Sequence, residues 1–63
     1  MEYEVWLFVD GNLVEDLSPY ATLADAKRAA RSAIDTGGYD EAEVRGFDLS
    51  GAGTPTIEYT IRL

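Results

Sequence analysis

The sequence predicts an α+β fold of ββαββ order: an antiparallel four-stranded sheet with one helix packed on one face. Three observations carry this. Residues 2–9 and 56–63 alternate at the two-residue period of a strand. Asp10-Gly11 follows the first of these runs, and Asp-Gly marks a tight hairpin turn. Between residues 22 and 35 the apolar positions switch to helical spacing, just before Gly37-Gly38. At 63 residues the chain makes a single domain, 1–63.

The elements follow in order. In the first strand Tyr3, Val5, Leu7 and Val9 share one face, and Glu2, Glu4, Trp6 and Phe8 share the other. The hairpin returns through Leu13 to Leu17. Ser18-Pro19 is expected to stop that strand, because proline cannot donate to a ladder. Thr22 opens the helix as its N-cap, with Asp25 completing a capping-box-like pair. Leu23, Ala26, Ala30, Ala33 and Ile34 form the apolar stripe. Most of it is alanine, so the helix can lie close to a sheet. Lys27, Arg28 and Arg31 fall on the solvent side, with Arg31 and Asp35 spaced for an i,i+4 pair. Thr36-Gly37-Gly38 ends the helix, with a glycine available for the left-handed position.

The third strand is expected over Glu41–Leu49. Its apolar parity changes after Val44, which suggests a bulge at Gly46. Residues 50–55 read as a loose connection. The last strand places Ile57, Tyr59, Ile61 and Leu63 inward and Glu58, Thr60 and Arg62 outward. The second face of the sheet then carries Glu4, Trp6, Phe8 and Glu58, with Glu15 and Glu43 as neighbours. Two large aromatics among carboxylates have the composition of a binding surface.

Charge narrows the partners. Twelve acidic residues face five basic ones, a net charge of −7. Three of the bases stand on the helix; outside residues 22–35 there remain ten acids and two bases, a net of −8. Such a surface repels nucleic acid and anionic lipid and attracts basic protein surfaces. The alternative use of the charge is solubility alone, as in high-GC or salt-adapted organisms. No window approaches a transmembrane length, and the start at Met1 lacks a secretory pattern. The reading is a complete small gene product of a bacterial cytoplasm, with no membrane and no direct nucleic-acid contact.

Absent residue types exclude chemistries. With no cysteine and no histidine there is no disulfide framework, no Cys/His zinc site and no Cys- or His-based catalysis. Acid pairs such as Asp10/Glu15 and Asp40/Glu41 lack a nucleophile–base arrangement around them, so no enzyme and no catalytic residue is expected. Asp35 to Glu41 gathers oxygen donors around glycines but without the calcium-loop spacing, so no metal and no cofactor is expected. The bases of the helix read as a solvated face, since phosphate-binding domains carry a basic stripe and a high pI, and here the pI is near 4.1.

Two resemblances add to this. A cysteine-free, strongly acidic, compact α/β chain of this size resembles the phage-encoded anti-CRISPR proteins and other DNA mimics. That resemblance is of type, and it implies an inhibitor occupying the basic DNA-binding groove of a bacterial CRISPR effector complex. The run from Tyr3-Glu4-Val5 through a glycine turn to Ala21-Thr22-Leu23-Ala24-Asp25-Ala26 is similar to the HicB-like antitoxin pattern. It departs from that pattern in lacking the aromatic-Pro-Asp-Leu-Pro-Gly stretch before the helix.

The functional expectation is therefore an acidic, DNA-mimicking inhibitor, monomeric by preference, that grips a basic nucleic-acid-binding protein. Its expected contacts are Glu2, Glu4, Trp6, Phe8, Glu15, Asp16, Glu43, Asp48 and Glu58. The alternatives are a small self-associating structural protein, a homodimer through the open face, and a HicB-like antitoxin.

Overall fold

A computed structural model describes residues 1–48 and 54–63. The chain runs β1 (Glu2–Val9), β2 (Asn12–Tyr20), α1 (Leu23–Thr36), β3 (Glu41–Phe47) and β4 (Thr56–Arg62). This is the expected ββαββ order. The four strands form one antiparallel sheet in the order β2-β1-β3-β4, which places β1 and β3 at its centre.

The hairpin turn is the one its sequence asks for. Asp10 and Gly11 both take positive φ, 52° and 80°, between the paired residues Val9 and Asn12. That backbone matches the twist of the flanking strands. Asp40 fastens the turn from outside: the Asp10 amide donates to its Oδ2 (2.8 Å), and the Asp40 amide donates to the Phe8 carbonyl (3.0 Å). So Asp40, one of the donors in the glycine-rich loop, serves the hairpin.

Thr22 caps α1. Its Oγ1 accepts from the Asp25 amide at 3.2 Å. The Asp25 carboxylate does not complete a reciprocal box; it turns to Arg28 Nη1 at 3.0 Å. At the other end Gly37 stops the helix with φ 93° and ψ 166°. This is not the left-handed helical conformation expected, but an extended positive-φ one that side chains rarely adopt.

The core lies between α1 and the centre of the sheet. Val5 and Leu7 of β1, Ala42 and Val44 of β3, and Ala26, Ala30 and Ile34 of α1 are buried. Tyr3, Leu17, Tyr20, Leu23, Tyr59 and Ile61 pack around them. Ala26 and Ala30 are what let the middle of the helix approach the strands, with the longer Leu23 and Ile34 toward its two ends.

Three expectations are corrected. Pro19 does not stop β2, which runs on to Tyr20. β2 is an edge strand, where a residue without an N–H is tolerated. Gly46 makes no bulge: β1 and β3 pair without interruption from Glu2↔Phe47 to Phe8↔Glu41. Gly46 stays buried on the same side as Val44, and Phe47 belongs to the opposite face. The rest of the predicted third strand, at Leu49, lies outside the described residues. Finally, the irregularity falls between β3 and β4, where Val44 pairs with Tyr59 but Arg45 pairs with Ile57. The extra residue is Glu58. Its side chain crosses to the helix side, so close to Gly46 that a Cβ there would meet Glu58 Cγ at 3.3 Å. Ile57 is left 54% exposed beside Arg45, and Leu63, predicted inward, is 83% exposed.

Candidate binding face

The side of the sheet away from the helix is the candidate site. Strand alternation puts Glu4, Trp6 and Phe8 there from β1, and Glu41, Glu43, Arg45 and Phe47 from β3. The register then sets the neighbours. Trp6 stands between Asp16 of β2 and Glu43 of β3, Glu4 stands opposite Arg45, and Phe8 stands between Leu13 and Glu41. Glu2 continues the row opposite Phe47.

Trp6 is the centre of a polar network. Its indole N–H donates to Glu4 Oε1 at 2.9 Å. Arg45 lies over the ring, with Cζ 3.9 Å from the centroid. Arg45 also donates from Nε and Nη2 to Glu43 Oε1 at 3.1 and 2.6 Å. The Arg45 and Glu43 side chains are only 24% and 14% exposed. A guanidinium held on a π face and by a carboxylate in a partly dry setting is a strong contact. Trp6 and Phe8 are half-buried, neither sealed in the core nor fully bare.

Acids predominate around this centre. Glu4 and Asp16 lie side by side. The Asp16 carboxyl is held above its usual range, first by partial burial, then by a hydrogen bond with Glu4 and by the Glu4 charge. Folded Asp16 therefore keeps its proton more tightly than unfolded Asp16, and raising the pH through that window costs stability. Asp16→Asn is expected to raise the melting temperature at pH 7. The gain, under about 0.5 kcal/mol for such an exposed group, should vanish below the ordinary Asp value of 3.8. Thermal unfolding at the two pH values checks it. Glu41 adds a fourth carboxylate and meets Arg62 Nε at 3.7 Å.

Of the nine residues the sequence singles out, Glu2, Glu4, Trp6, Phe8, Asp16 and Glu43 share this face. Three do not. Glu15 stands opposite Leu7, hence on the helix side, where its carboxylate accepts from the Tyr39 hydroxyl. Asp48 is exposed just beyond the end of β3. Glu58 is carried to the helix side by the bulge. Sequence reasoning missed Arg45, Glu41 and Ile57. Arg45 had a signal: it shares parity with Glu41 and Glu43.

The opposite side of the molecule carries three of the five cations, Lys27, Arg28 and Arg31, with Asp25 and Asp35 among them on the same helix. Lys27 Nζ sits 4.7 Å from the Tyr59 ring centroid, and Arg31 Nη2 donates to the Tyr59 hydroxyl at 3.0 Å. Arg31 thus pins β4 to the helix instead of pairing with Asp35. Two depressions of about 350 and 440 Å³ lie along α1, both bordered by Arg28 and Ser32, and neither reaches the acidic face. Among the described residues no group of three or more acids is placed to hold a metal ion, and no helix is long and apolar enough to cross a membrane. Comparison of the chain with family models, curated proteins and solved structures finds no match.

Proposed function

We propose that this chain is a non-enzymatic binding protein whose outer sheet face grips a basic, nucleic-acid-binding protein surface and competes with nucleic acid for it. One observation carries the reading. The register collects Glu4, Asp16, Glu41 and Glu43 around half-buried Trp6 and Phe8, while Lys27, Arg28 and Arg31 stand on the helix behind. Glu41 and Glu43 repeat along β3 at about 6.6–6.8 Å, and Asp16 stands across Trp6 from Glu43, two strand spacings or about 9.6 Å away. A groove lined with Lys and Arg for a phosphate backbone meets there a face on which carboxylates outnumber the two bases, Arg45 and Arg62. The acids steer encounter and set salt dependence, and the aromatic centre supplies the desolvated contact. The finer form of the proposal is an anti-CRISPR role in a bacterial cytoplasm, with the DNA-binding groove of a CRISPR effector complex as the target.

The test is competition. Purified effector complexes are challenged with labelled target DNA in the presence of the protein at rising salt. The protein should displace the DNA, with an affinity that falls as salt rises. The triple change Glu4→Gln, Asp16→Asn, Glu43→Gln should weaken displacement at least about tenfold, equivalent to 1.4 kcal/mol. Binding indifferent to salt, or DNA that is never displaced, excludes mimicry.

A further inference from the structure

We infer that β4 is a self-pairing edge, through which two copies of this chain join antiparallel into one continuous eight-stranded sheet. The inference does not rest on the function proposed above, and it uses a different surface.

The sheet has two outer strands, β2 and β4. Exposed edges invite pairing, and proteins blunt those that must stay alone. β2 carries such devices: Pro19, two register shifts against β1, and the adjacent charges Glu15 and Asp16. β4 reads Thr-Ile-Glu-Tyr-Thr-Ile-Arg, rich in β-branched and aromatic residues, with no proline and one irregularity at Glu58. Its backbone is correctly disposed. The Leu63 amide donates inward to the Asp40 carbonyl at 3.0 Å. By the alternation of an antiparallel ladder, Ile61 and Tyr59 also turn their backbone groups toward β3, so Thr60 and Arg62 point theirs away from the sheet.

A second β4 fits this edge when the two-fold axis passes through Thr60. Thr60 then faces its own copy. Tyr59 faces Ile61 of the second copy on the helix side, an aromatic–β-branched pair of the kind that stabilises sheets. Ile57 and Leu63, 54% and 83% exposed in the single chain, come to the same level at both ends but on opposite faces, since the extra residue at Glu58 turns Ile57 to the outer side. The strand brings Glu58 and Arg62, one charge of each sign, so the edge itself is neutral although each copy carries −7. The remaining repulsion between copies is long-range and screened by salt. Self-association should therefore strengthen as salt rises, the reverse of the binding proposed for the outer face.

Sedimentation equilibrium at low salt and at about 0.5 M NaCl, where the screening length is about 4 Å, tests this at concentrations up to about 1 mM, suited to a small interface. A dimer favoured by salt is expected. Thr60→Pro, which removes an outward N–H that no bond within the single sheet uses and is tolerated on an edge strand, should raise its dissociation constant at least tenfold while the circular dichroism spectrum stays that of the folded chain. Amide exchange on the unaltered protein gives an independent measure. The Thr60 and Arg62 amides should exchange slowly when concentrated and at least tenfold faster on dilution. A monomer at every concentration and salt overturns the inference. So does a dimer in which those two amides exchange freely, because that dimer pairs through another surface. DNA displacement by the outer face is read separately with the triple variant, so either idea can fail alone.

Discussion

Leu7→Ala is expected to remove a large share of the stability of this fold, on the order of half. Leu7 is 1% exposed and is among the largest fully buried side chains. It sits in the middle of β1, with Glu15 on one neighbouring strand and Ala42 on the other. Ala42 and the helical residues Ala26 and Ala30 have no length with which to fill the space left behind. A leucine lost from such a place costs about 2–5 kcal/mol. A chain of this size holds only about 3–9 kcal/mol in total. Each kcal/mol moves the midpoint by about 4–8 °C in a domain this small, so the melting temperature should drop by at least about 8 °C. Leu7→Met preserves volume and should cost less than about 1.5 kcal/mol. Thermal and urea unfolding followed by circular dichroism compare the three proteins.

The second large effect comes from adding volume. Ala30→Leu is expected to destabilise the fold by about 1–3 kcal/mol. Ala30 is completely buried on the helix face that lies against the sheet. Leucine is nearly as good a helix former as alanine, so the loss would report distance between layers and not helix propensity. Ala24→Leu supplies the control, since Ala24 is exposed on the same helix. It should change stability by no more than about 0.5 kcal/mol. If Ala30→Leu proves neutral under urea titration, the close approach of helix and sheet is not what the alanine stripe is for.

Local chemistry explains which parts were legible in the sequence. Asp10-Gly11, Thr22 and Gly37 each act within a few residues, and each does its expected job, though Gly37 does so with an extended ψ. The alanine stripe, read at helical spacing, is the buried face of α1. What failed depended on partners distant in sequence. Pro19 breaks a central strand but not an edge, and no residue near it announces that β2 lies at the edge. Perfect alternation from Thr56 to Leu63 conceals an extra residue at Glu58, because a bulge is defined against the neighbouring strand. Gly46 looks like the irregular point, yet it stays in register with β1. The outer face was half legible. Parity placed Glu4, Trp6 and Phe8, but the pairing of β1 with β3 decides that Glu43 and Arg45 complete it. Arg45 changes the character of that face, since it shields Trp6 and neutralises part of the acid around it. Glu15 was misplaced because the register shift between Leu7 and Phe8 reverses its side.

The outer face sets Glu2, Glu4, Asp16, Glu41 and Glu43 against Arg45 and Arg62, while the helix side sets Lys27, Arg28 and Arg31 against Asp25, Asp35, Glu15 and Glu58 and is close to balanced, so the molecule has an electric polarity in addition to its net charge. In the field of any cationic cleft it experiences a torque as well as a pull. The more negative strand face is drawn forward before the first contact, so a larger share of collisions arrive already aligned.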